Sequence, residues 1–194
     1  MITVLAVAIV YDPRVSPLEQ KSEQGLGRLI PTMMRLLLPA ILLVLAVYLV
    51  FIPSNFMQPF DNREFLIVYN VLLFAVMGLL LGVTPVRTQD LPERYHGILR
   101  AGILALAGLT IVISLYALSA VVYRTVLGGL TINRLTIMGW NVVNIGLLIG
   151  LVYTQFKWGA AAWIHSLQSV FGVGAVAYTV WTIFLTMAIP WLFK

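Results

Sequence analysis

Apolar residues in this chain gather in long continuous runs with polar punctuation between them. Five runs are long enough, or nearly so, to cross a hydrocarbon core, which takes about 20 apolar residues in a helix. They cover about 36–52, 65–83, 98–122, 135–156 and 167–193. Pro53, Pro59, Asp61 and Arg63 separate the first two. Pro85, Arg87, Asp90, Pro92 and Glu93 separate the second from the third. Membrane barrels are built from alternating segments of about 10 residues, so continuous runs point to helices. The pattern predicts an all-α integral membrane protein, a bundle of about five transmembrane helices over residues 31–194. A short apolar N-terminal segment and a polar linker precede it, over residues 1–30.

That first segment, residues 2–11, is too short to span a bilayer. It also lacks the positive flank and small-residue cleavage site of a signal peptide. It reads best as the tail of a helix lost to truncation or to a misassigned start; lying flat at the interface and packing against a partner are the alternatives. Residues 12–30 mix acids with bases and read as a cytoplasmic linker rather than a docking motif. The first helix is expected to begin between Leu26 and Arg35, with Pro31 in its first turn.

Composition agrees with the pattern. Hydrophobic residues make up 61% of the chain and charged residues 10%, against roughly half and a quarter in a soluble domain. With no cysteine, disulfides, thiolate metal sites and thiol catalysis are excluded. The net charge of +5 is read as orienting the chain and touching anionic lipid, with no role in binding nucleic acid. Arg14, Lys21, Arg28, Arg35, Arg87, Arg94, Arg100 and Lys157 fall on one side of the expected topology; Arg63, Arg124, Arg134 and Lys194 fall on the other. The richer side is assigned to the cytoplasm of a bacterial inner membrane.

The seven acids all lie at or before Glu93, and none falls inside an expected span. Proton relays and cation-coupled carriers keep ionisable groups within the membrane, so the chain is a poor candidate for a proton pump, a cation antiporter or an intramembrane aspartyl or metallo-protease. No catalytic residue, metal site or resident cofactor is expected, and the chain is not read as an enzyme. The neutral polar residues are Asn70 in the second run and Asn141 and Asn144 in the fourth. Gly78 and Gly82 form one G-x-x-x-G, and Gly146 and Gly150 another. Such spacing lets helices approach closely, and amides bond across the contact. Helix packing is therefore favoured over a substrate path. The fourth helix is expected at the centre, its glycines against one neighbour and its amides against another. On that view leucine at Gly146 or Gly150 does more damage than leucine at Asn144.

His96 and His165 precede the third and fifth runs on the same side. A pair there could ligate a haem or a chlorophyll-type pigment; solvated interfacial histidines are the favoured alternative. Ser166 and Ser169 have no acid to complete a triad.

The connection between the third and fourth runs, "RTVLGGLTINRL", lacks the G-x-x-x-x-G-K-[ST] of a phosphate loop. It reads as a helical hairpin. Gly128 and Gly129 supply the C-cap and turn, Thr131 or Asn133 caps the next helix, and Arg134 snorkels to the headgroups. The longer stretch "YRTVLGGLTINRLTIMGW" resembles the "Y…GLT..R" connection of bacterial multi-pass membrane proteins known as a domain of unknown function. The run "MMRLLLPAILLVLAVYLV" resembles another helix of that group, so the likeness covers residues 28–156. It implies further helices upstream, a membrane location and a helical fold, with no catalytic residue to carry over. Taken together, the sequence favours a non-catalytic structural or accessory subunit, surrounded by membrane lipid and partnered by other membrane-protein subunits. The alternatives are a small transporter or flippase component working through its asparagines, and a pigment- or haem-binding subunit.

Overall fold

The computed structural model describes residues 22–84, 93–159 and 162–192. Residues 2–11 and most of the polar linker lie outside them. Among the described residues, 93% are helical and none is in a strand. Its helices are α1 (Ser22–Ser54), α2 (Gln58–Asp61), α3 (Arg63–Val83), α4 (Glu93–Gly128), α5 (Ile132–Trp158) and α6 (Trp163–Leu192). All but α2 are long and apolar enough to cross a membrane. Each reaches beyond the apolar run that announced it, because polar first and last turns continue the helix into the interface. α1 starts at Ser22, so Pro31 stands well inside it rather than in its first turn.

Local chemistry sets the breaks. Past Pro53, α1 gives way to a turn and the single turn of α2. There Phe56 and Phe60 lie with ring centroids 5.3 and 6.0 Å from Tyr116 of α4, whose hydroxyl donates to the Phe56 carbonyl at 2.7 Å. Between α4 and α5, Gly129 adopts φ +77, a region that only glycine enters freely. Thr131 is extended, and its hydroxyl accepts the Arg134 N–H at 3.3 Å. The hairpin therefore forms as its sequence implies, with Thr131 as the N-cap.

α4 takes the central place expected of the fourth span: it packs against α1, α2, α3 and α5, and α5 packs against α4 and α6. The core that results joins Leu45 of α1, Leu80 of α3, Ile103 and Leu106 of α4, Leu148 and Leu151 of α5 and Leu167 of α6, all fully buried. α5 is displaced from the centre because one of its stripes, Val142, Gly146, Ile149 and Tyr153, faces outward. The least covered spans are those of α1 and α6, with 11% and 17% of their apolar windows buried, against 44% for α3.

Candidate functional site

Polar side chains within the bundle fall into three groups. At the end where α4 and α6 begin, Gln155 of α5 is completely buried. It accepts from Arg100 Nε at its side-chain oxygen (3.3 Å) and from Arg100 Nη2 at its backbone carbonyl (3.0 Å). Its own amide donates to the Trp163 carbonyl at 2.7 Å. The Trp163 indole then donates to His96 Nδ1 at 3.1 Å. One amide thus holds α4, α5 and α6 together. His165 has different surroundings: it is exposed and lies against Trp158, with ring centroids 5.2 Å apart.

Deeper in the bundle, Asn141 of α5 donates to Asn70 Oδ1 of α3 at 2.8 Å and to the Ile137 carbonyl at 2.9 Å. Asn70 donates in turn to the Leu66 carbonyl at 2.7 Å. Asn144, about 60° further round the same helix, accepts from the hydroxyl of Tyr178 on α6. Its Nδ2 is buried without a partner. The amides named from sequence do tie helices, one to α3 and the other to α6.

The glycines do not behave as expected. A Cβ placed on Gly78, Gly82 or Gly146 would meet nothing within 4 Å, and at Gly150 it would meet only Val170 Cγ1 at an ordinary 3.9 Å. The reason is direction. Gly78 and Gly82 prolong the outward stripe of Ile67, Val71 and Phe74 on α3, and Gly146 sits in the outward stripe of α5. The close approaches are at isolated glycines instead: Gly139 beneath Trp181 of α6, Gly174 against Leu147 of α5, and Gly102 against Leu38 of α1. No G-x-x-x-G marks them. The bulky partner on the next helix creates the need, and that partner lies far away in sequence.

The third group is a groove of about 550 Å³ at the opposite end of the bundle. Arg63 opens α3, Arg124 lies in the last turns of α4, and Arg134 lies in the first turn of α5; all three line the groove, with Thr131 and Asn133 beside them. Arg134 Nη1 donates to the Gly129 carbonyl at 2.6 Å, so this side chain closes the end of α4 rather than simply snorkelling. Arg124 Nη1 is buried with no hydrogen-bond partner. Further in, the lining turns apolar through Leu66, Val121 and Ile137, with Asn70 the one deep polar group. Sequence reading counted these arginines as topology markers and missed that the fold converges them. It also missed Arg100, Gln155 and Tyr178, which become informative only once their neighbours are known.

Comparison with known proteins finds no matching family model, curated protein or solved structure. Five apolar helices of spanning length fit a multi-pass membrane protein. Among the described residues, no three His, Cys, Asp or Glu side chains gather as a metal site.

Proposed function

We propose that the chain is a non-catalytic structural or accessory subunit of a larger complex in a bacterial inner membrane. We include in this proposal its kinship with the uncharacterised family that its α4–α5 connection resembles. One observation carries it: the amides inside the membrane are used on helix-to-helix bonds, Asn70 to Asn141 and Asn144 to Tyr178. Both donor hydrogens of Asn141 are engaged, which suits a fixed joint better than a substrate contact that must form and break. Such bonds contribute about 0.6 kcal/mol on average and up to about 1.7 kcal/mol. The expected result is that mild-detergent extraction yields a particle carrying other membrane polypeptides, and that Asn141→Leu lowers the amount of assembled protein. Recovery solely as a 21.5 kDa monomer would sink the subunit reading.

A second reading, a small transporter or flippase component, is favoured by the arginine groove that reaches Asn70. It requires that Asn141→Leu abolish substrate movement while the protein assembles in full.

A further inference from the structure

The groove beside the α4–α5 hairpin has an arrangement that neither a structural hairpin nor a topology signal needs. Arginines from three different helices line it together. Asp61 and Glu64, the acids nearest in the chain, do not line it. Arg124, one of the three, has a buried nitrogen with no hydrogen-bond partner, where buried donors are ordinarily paired, so its guanidinium is not neutralised from within the bundle. Guanidinium groups present planar donor pairs that fit phosphate oxygens, so a lining with three of them and no acid matches the chemistry of a phosphate.

The rest of the groove says what the phosphate is attached to. Arg63 stands at the membrane end of α3, Asn70 lies about two turns deeper and Phe74 about three. The α3 wall along this path is Ile67, Val71 and Phe74, which are 52%, 63% and 54% exposed on the outer surface of the bundle. In a membrane that surface meets acyl chains. The site is charged at headgroup level, apolar below and open sideways to the bilayer. A free phosphate would use only the mouth. A lipid uses all of it.

The geometry points to a binding site for an anionic phospholipid, with its phosphate held by Arg63, Arg124 and Arg134 and an acyl chain laid along Ile67, Val71 and Phe74. Basic pockets between membrane helices hold lipid phosphates on the same physical grounds. This assignment is independent of the subunit proposal, since a lipid can occupy the groove of an isolated chain or of one within a complex.

The test uses the whole protein in phosphatidylcholine nanodiscs, titrated with phosphatidylglycerol and followed by native mass spectrometry and thermal unfolding. The wild type is expected to retain phosphatidylglycerol and to unfold at higher temperature as it binds. Arg63→Gln with Arg124→Gln should weaken retention at least about tenfold, an energetic change of about 1.4 kcal/mol; Arg134 is kept because it also closes α4. Lys157→Gln, at the other end of the bundle, should leave retention unchanged. Equal loss with Lys157→Gln, or wild-type retention in the double variant, overturns the site. Displacement of the lipid by inorganic phosphate or glycerol phosphate overturns the lipid assignment in favour of a free-anion site. If the double variant fails to fold, a photoactivatable phosphatidylglycerol on the wild type decides: crosslinks within 63–74 and 121–137 support the site, and crosslinks confined elsewhere overturn it.

Discussion

At Gly139 the side chain of the next helix occupies the space a methyl group would need. A Cβ there would overlap Cζ2 of Trp181, so either the indole leaves its place or α5 and α6 move apart. Overpacking of this kind costs about 1–3 kcal/mol, more than the roughly 1 kcal/mol that alanine gains over glycine in a helix. Gly139→Ala should therefore lower the unfolding temperature in detergent. Gly146→Ala, with open space around it, should leave that temperature unchanged or raise it. An equal fall for both variants would mean that Gly146 is covered after all. The spacing of the glycines does not separate these cases, because a motif records that residues are small and not whether anything stands opposite. The structure gives grounds for the opposite order to that expected from sequence: with Asn144 bonded to Tyr178 and open space beside Gly146, Asn144→Leu should lower the unfolding temperature more than Gly146→Leu.

Individual helices were the most legible level. Run length alone locates every spanning element, and the Gly-Gly-x-Thr order marks the α4–α5 turn and its cap. Less legible was what each helix face meets, since periodicity names a face and not its neighbour. Arg100 and Gln155 are 55 positions apart; one was read as a topology charge and the other was passed over. Their pairing makes an element-level prediction. Gln155→Leu removes the acceptor of Arg100 Nε and the donor to the Trp163 carbonyl, while Arg100 Nη2 keeps the backbone carbonyl of position 155; the lost bond to a charged group costs about 1.5–3 kcal/mol. Amide exchange in the first turns of α6 should accelerate. Adding Arg100→Leu should recover part of the stability, because removing both members of a pair leaves less unsatisfied than removing one. Additive losses in the double variant would show that the two residues act separately.

At the scale of the molecule, the five spans among the described residues place successive connections on alternate sides. Single cysteines at Asn55 and Asn133 should be labelled from one compartment, and a cysteine at Lys157 from the other; the distribution of basic residues makes the first outside and the second cytoplasmic. Labelling of Asn55 and Lys157 from the same side would contradict the span count. Three of the four basic residues on the minority side, Arg63, Arg124 and Arg134, line one groove, so they serve as a local site and their weight in setting orientation is correspondingly smaller. The spans also differ in length. That of α4 has 33 residues and that of α6 has 29, about 50 and 44 Å at 1.5 Å per residue, against a hydrocarbon core of about 30 Å. Helices this long must lean, curve or project into the headgroups. On α6, the hydroxyls of Thr179, Thr182 and Thr186 each donate to the carbonyl four residues earlier at 2.8 Å, a contact that loosens and bends a helix. The last two of them, Thr182 and Thr186, lie beyond Tyr178 and Trp181, the side chains that hold α6 to α5. Bilayer thickness is therefore a variable that this fold is built to follow: the end of α6 beyond Trp181 should tilt or straighten with the membrane around it, while the α3–α4–α5 core should keep its angles.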